Sequence, residues 1–196
     1  MNTSLYKEHT DEELILLLQK NDDIKAFDEL VFRYKDRIMN IMFNFINDRN
    51  EAEDLTQDAF LKLYKYKDQY KKFSKFSTWF FAIAMNTARN SYKKSKDYFP
   101  VSIYDVDEED LQTPDMILDL DEYEFEDINN VRLDCLKRSF DLLDPMHKEV
   151  IILRFTEEKE YEEIAIILNI PAGTVKSRVN RGRERLKKNF VKLYRE

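Results

Sequence analysis

Residues 160–187, EYEEIAIILNIPAGTVKSRVNRGRERLK, decide the fold, because they spell two short helices around a tight turn with basic residues crowding the second. In the first helix Tyr161, Ile164, Ala165 and Leu168 stand at i, i+3, i+4 and i+7, one apolar face of period 3.6. Asn169 tolerates a left-handed turn, and Pro171 presets the backbone where the second helix begins. In that helix Val175, Val179, Gly182 and Leu186 form the inward stripe. Thr174, Lys176, Ser177, Asn180, Arg181, Arg183 and Arg185 are left mostly outside it. From Lys176 to Lys188 there are seven Lys or Arg and one acid, Glu184. Such a charge run by itself fits a solvated face as well as a phosphate-binding one. The periodicity and the short turn decide for a helix-turn-helix, whose second helix enters the major groove with polar groups on base edges and basic ones on phosphates.

Outward from this unit, composition points the same way. A chain of 196 residues with 43% hydrophobic content supports one or two real cores. Only two glycines and four prolines, long 3.6-period stretches and no sustained alternation predict an all-α fold. The single cysteine, Cys135, excludes an intramolecular disulfide and falls on an apolar helix face, as a core residue does. The polar, acidic N-terminus lacks the apolar segment of a signal peptide, and no stretch reaches the length of a membrane span. Cytoplasmic location without membrane insertion is the expectation.

The net charge of −7 looks wrong for a DNA binder until its distribution is read. Between Asp97 and Asp127 there are 13 acids and no Lys or Arg, so the rest of the chain is net basic. Two helical domains flanking an acidic linker are predicted: residues 1–96, the linker 97–127, and residues 128–196. With Pro100 and Pro114 and charge of one sign, the linker reads as a tether between them. In the first domain Thr10 and Glu13 form a capping box before a helix to about Lys20. Phe27, Leu30, Val31, Tyr34, Ile38, Ile41, Met42 and Phe45 predict a rod from Ile24 to Ile46. Asn50 is the expected cap of a third helix running to about Tyr66, and a fourth runs from about Ser77 to Lys94. Beyond the linker, a helix from Val131 to Leu143 and another capped by Asp144-Pro145 precede the helix-turn-helix.

Two further constellations bear on partners. The cluster Tyr70, Lys71, Lys72, Phe73, Lys75, Phe76, Trp79, Phe80 and Phe81 holds more rings than one helical face buries. Rings beside lysines suit single-stranded nucleic acid, which stacks bases on the rings and sets phosphates against ammonium groups. Core packing is the competing reading for Trp79, Phe80 and Ile83. Arg89, Lys93, Lys94 and Lys96 extend a phosphate-binding edge along the same helix. On the third helix Asp54, Gln57, Asp58 and Leu61 share one face, which suits either a partner helix or the helix dipole. No catalytic site, metal site or cofactor site emerges: His9 and His147 are far apart, and neither a Gly-rich phosphate loop nor HExxH is present.

At AEDLTQDAFLKLY (Ala52 to Tyr64), FSTWFFAIAMN (Phe76 to Asn86), LDPMHKEVIILRF and EEIAIILNIPAGTVKSRVNRGRERL the chain resembles bacterial sigma factors of the sigma-70 type, in the small extracytoplasmic-function group. The resemblance implies a non-enzymatic subunit that binds core RNA polymerase, directs it to promoters and helps open the DNA. It implies that Asp54, Gln57, Asp58 and Leu61 meet the clamp coiled coil of the largest polymerase subunit, with the flap as a further polymerase contact. Lys72, Phe73, Lys75, Phe76, Trp79, Asn86, Arg89, Lys93 and Lys94 would engage and melt the −10 element. Thr174, Lys176, Ser177, Arg178, Asn180, Arg181, Arg183 and Arg185 would read the −35 element. An anti-sigma factor is a further implied partner. Met85, Asn90, Asn169 and Gly182 depart from the family pattern, which bears on −10 preference and on the stability of the recognition helix. The alternatives are a helix-turn-helix regulator that never joins polymerase, and an inhibitor that mimics nucleic acid with the acidic segment.

Overall fold

A computed structural model describes residues 4–95 and 126–195; of the acidic segment, all but Glu126 and Asp127 lie outside them. Among the described residues every regular element is helical. The first bundle comprises α1 (Ser4–Lys7), α2 (Asp11–Asn21), α3 (Ile24–Ile46), α4 (Arg49–Lys65) and α5 (Phe76–Ser95), with a 3-10 turn at Lys67–Gln69. The capping box is present: the Thr10 hydroxyl accepts from the Glu13 N–H, and the Glu13 carboxylate accepts from the Thr10 N–H. In a chain so poor in glycine, the left-handed turns that end helices fall to Asp22, Asn47 and Asn169, at φ 51°, 60° and 54°. The cap of α4 is Asp48 rather than Asn50; its carboxylate accepts from the Glu51 N–H at 2.8 Å and adds charge at the positive helix end.

Leu14, Leu18, Leu30, Ile38, Met42, Phe45, Leu63 and Phe80 fill the first core, each contributing about 1.5–3 kcal/mol by its burial. Tyr34 anchors that core at its polar edge. Its hydroxyl donates to Asp11 at 2.5 Å while its ring meets Phe76, Phe80 and Phe81 edge-on. Arg33 pairs with Asp11 and Glu29 and also donates to the carbonyls of Tyr6, Lys7 and His9, which fastens α1 to α3.

The second bundle holds α6 (Glu126–Asp141), α7 (Pro145–Ile151), a π turn (Ile152–Thr156), α8 (Tyr161–Leu168) and α9 (Ala172–Arg195). Asp144 and Pro145 stand at the N-cap and first turn of α7 as expected, but the Asp144 carboxylate makes no capping bond and pairs with Arg185 instead. Cys135 is buried. Val150, Leu153, Ile164, Ile167, Leu168, Val175 and Val179 make the core. Ile167 is buried and completes the apolar face, whereas Ala165, expected on it, is only half-buried. Gly182 lies at the crossing of α7 and α9, where an added Cβ would stand 3.2 Å from Ile151 Cγ1. The two bundles pack on each other, α5 lying along α8, and α3 touching α7 and the π turn.

Candidate nucleic-acid interface

With Val175, Val179 and Gly182 turned inward, α9 presents Lys176, Ser177, Asn180, Arg183 and Arg185 to solvent. Thr174, Arg178 and Arg181 are half-buried at its flanks. Arg185 also pairs with Asp144 of α7, and Arg178 pairs with Glu149 at 3.2 Å. Beneath this face His147 is buried, with an Nδ1 that has no hydrogen-bond partner. Burial, with Arg185 adding to it, pushes its imidazole down to about 4.

The loop between α4 and α5 is held from below by α2. Gln19 Nε2 donates to the carbonyls of Lys67 and Tyr70 at 2.6 and 3.0 Å. The Glu12 carboxylate accepts from the Phe76 N–H at 2.9 Å, satisfying an orphan donor at the start of α5. Asp22 accepts from both Tyr64 and Lys67, whose bonds hold its carboxyl below the usual range. Sequence reasoning missed all three, and only the acidic start of α2 hinted at Glu12. So braced, the loop displays Lys71, Lys72 and Lys75, with Phe73 wholly exposed.

Phe76, expected among the strand-binding rings, is fully buried among Tyr34, Tyr70, Trp79 and Phe80, and is withdrawn from that set. The periodicity of α5 counts only the rings that one helical face can bury. The fold covers the cluster from α2, α3 and α4 as well, so Tyr70, Phe80 and Phe81 are also buried. Trp79 is half-buried against Tyr70; Asn86, Lys93 and Lys94 are exposed, and Arg89 is half-buried. Met85 is fully buried, so its departure from the family pattern changes packing rather than an exposed contact.

The α4 face is open. Ala52, Leu55, Ala59 and Leu63 turn into the core, while Asp54, Gln57 and Asp58 are exposed and Leu61 is 67% exposed. No described hydrogen bond or ion pair engages these three polar side chains. Among the described residues no cluster of His, Cys, Asp or Glu is arranged to hold a metal ion, and no helix is long and apolar enough to cross a membrane.

Where the bundles meet, three more side chains that sequence reasoning passed over are buried: Glu149, Glu157 and Lys159. Arg37 donates through Nε and Nη2 to Glu157 at 2.9 and 2.7 Å, and its guanidinium lies 4.9 Å from the Phe81 ring centre. Lys159 sits 5.2 Å from the same ring centre and donates to the Ser77 hydroxyl at 3.2 Å. Burial raises the Glu157 carboxyl and lowers the Lys159 ammonium, each against the pull of its partners.

A basic helix on one bundle and a ring-and-lysine loop on the other give this all-α molecule two separate surfaces with the chemistry that suits nucleic acid. The description of sigma-70 region 2 matches residues 30–97, and that of sigma-70 region 4 matches residues 140–188. The chain is 30% identical to the RNA polymerase sigma-H factor of Pseudomonas aeruginosa, over 95% of this chain and 96% of that one. It is 34% identical to the ECF RNA polymerase sigma factor SigW of Bacillus subtilis, over 89% and 94%. Its fold is that of the sigma factor RpoE of Bartonella quintana, solved with the anti-sigma factor NepR, at a TM-score of 0.61, 23% identity and coverage of 84% and 96%. The chain belongs to the sigma-70 family of RNA polymerase sigma factors, in its extracytoplasmic-function group. It is a transcription initiation factor with no enzymatic chemistry of its own, and the reading as a free-standing helix-turn-helix regulator is set aside.

Proposed function

We propose that this chain, acting in the cytoplasm, docks on the clamp coiled coil of core RNA polymerase through Asp54, Gln57, Asp58 and Leu61. Region 4 meets the flap and reads the −35 element through Thr174, Lys176, Ser177, Arg178, Asn180, Arg181, Arg183 and Arg185. The −10 element is engaged by Lys72, Phe73, Lys75, Trp79, Asn86, Arg89, Lys93 and Lys94. Phe73 offers a stacking surface for an unpaired base. The acidic segment tethers the two domains, and an anti-sigma factor, like the partner named for the Bartonella protein, restrains the chain until a signal arrives.

The observation that carries this reading is the open acidic-apolar face of α4, on a different bundle from the basic α9: a regulator that bound only operators would have no use for it. The test is transcription in vitro by core polymerase plus this protein on DNA of its own genome, with the transcripts sequenced. New start sites sharing two upstream sequence boxes are expected. A chain that neither co-purifies with core polymerase nor adds start sites would overturn it.

A further inference from the structure

The loop that displays Lys72, Phe73 and Lys75 is held at both ends by α2, a helix to which no contact with DNA or polymerase has been assigned. Glu12 and Gln19 lie on one face of α2, about 10 Å apart along its axis. At one end of the loop Gln19 Nε2 donates to the carbonyls of Lys67 and Tyr70 at 2.6 and 3.0 Å, so both amide hydrogens are used. At the other the Glu12 carboxylate accepts from the Phe76 N–H at 2.9 Å. The residue before α5 is Lys75, whose ammonium accepts nothing, so α5 takes this cap from another helix. Between the two clamps the Tyr70 hydroxyl donates to the Ser74 carbonyl at 2.7 Å, and the Ser74 N–H donates to the Lys71 carbonyl at 3.3 Å. Each of these bonds ends on backbone, so together they fix the path of the loop and leave Phe73 wholly exposed on it. Glu12 also acts on the basic side of the loop: Glu163 foremost, with Glu12 adding to it, holds the Lys75 ammonium above its usual range.

We propose that Glu12 and Gln19 are positioning residues for −10 recognition: they hold the loop in the shape in which Phe73 stacks on an unpaired base, and so set the strength and base preference of capture without touching DNA. The inference rests on the −10 role proposed above for Lys72, Phe73 and Lys75. A base lands on a single exposed ring, and a loop free to wander offers that ring in the right place only part of the time. Apparent affinity falls in proportion to that fraction. Charge alone predicts the opposite sign for Glu12. An acid beside Lys75 opposes the approach of phosphate, so an acid acting through its field weakens capture, whereas an acid acting as a clamp strengthens it.

The test uses the full-length chain bound to core polymerase, at a temperature well below the melting transition of every variant. The probe is fluorescent single-stranded DNA of randomised sequence, with affinity read by anisotropy and base preference by sequencing the bound pool. Gln19→Ala, which removes two bonds, should weaken capture by about fivefold to twentyfold and flatten the base preference. Glu12→Ala should weaken it about fivefold. Glu12→Gln, whose side-chain carbonyl still accepts from the Phe76 N–H, should stay near wild type in both readings. In a Phe73→Ala background, Gln19→Ala should weaken capture no further. In the free chain Trp79, the single tryptophan, lies 5.4 Å from Tyr70 between ring centres, and acrylamide should quench it more readily in both Ala variants. Folded Ala variants that capture with wild-type strength and preference overturn the positioning role. So do Glu12 variants that both bind more tightly, or losses at Gln19 and Phe73 that multiply. If Phe73→Ala by itself leaves capture unchanged, the −10 role of the loop falls, and the clamp with it.

Discussion

Two surfaces of region 2, one helix apart, are used in opposite ways. On α4 the side chains of Asp54, Gln57, Asp58 and Leu61 reach solvent without a described bond inside the chain. On α5 and the loop before it, Lys75, Phe76 and Arg89 are bonded to region 4 or buried in the core. A group whose contacts close inside the fold contributes to stability, while one left open contributes to binding. Substitutions should therefore divide between those that move the melting transition and those that move affinity.

The largest effect should come from the closed side. Phe76→Ala opens a cavity among Tyr34, Tyr70, Trp79 and Phe80 and should cost about 3–5 kcal/mol of unfolding free energy. Phe73→Ala, only three residues away and fully exposed, should leave the melting curve alone. It should instead weaken capture of single-stranded DNA by the holoenzyme by about 1–3 kcal/mol. If Phe76→Ala melts like wild type, the division drawn between the two surfaces is wrong.

His147 sharpens the same division by pH. Folded, its imidazole titrates at about 4, against about 6.5 when exposed, because it is buried beside Arg185, Arg178 and Arg181, with only Asp144 pulling the other way. The unfolded chain then binds more protons as pH falls, so the stability due to neutral His147 is complete above about 6.5. It drains away between 6.5 and 4, by about 3 kcal/mol in all. Denaturant unfolding at pH 7.5 and pH 4.5 should show this loss, and His147→Leu should remove it. A His147→Leu chain with the wild-type pH profile would assign the titration elsewhere.

On the open side, Leu61→Asp should weaken binding to core polymerase by about 2 kcal/mol, roughly 30-fold, with no change in the melting transition. Gln57→Ala should lower it by less. A loss of stability with normal polymerase affinity would return α4 to the reading in which its acids serve the helix dipole alone.

What the sequence made legible follows from how far apart the partners stand. The limits of α3, Ile24–Ile46, were readable because eight apolar residues from Phe27 to Phe45 keep one face for about five turns. The turn at Asn169 and the stripe of α9 were readable for the same local reason. Gln19, Glu12 and Glu149 were not, since their partners lie 48, 64 and 60 residues away, and each alone looks like an ordinary surface polar group. Phe76 was misplaced because the capacity of a core is set by every helix that closes over it, and one helix's periodicity counts only its own face. The α4 face was legible for the converse reason: nothing in the fold came to cover it.

The smallest effect tests a residue at the boundary between the two kinds of surface. Gly182 sits in the middle of α9, where glycine costs about 1 kcal/mol relative to alanine. By helix propensity alone Gly182→Ala should stabilise the protein by that amount. The packing argues otherwise, because the new Cβ would stand 3.2 and 3.3 Å from Ile151 Cγ1 and Cδ1 and 3.4 Å from His147 Cβ. Tight contacts of that kind force small shifts in a packed core, which offset the gain. The net change for Gly182→Ala should stay within about 0.5 kcal/mol, while Gly182→Val, with more bulk and poorer helix propensity, should lose at least about 1 kcal/mol. Duplex binding by the holoenzyme should be unchanged in both, because the position faces α7 and not DNA. A gain near 1 kcal/mol for alanine would show that Ile151 yields freely and that glycine at this crossing reflects no packing requirement.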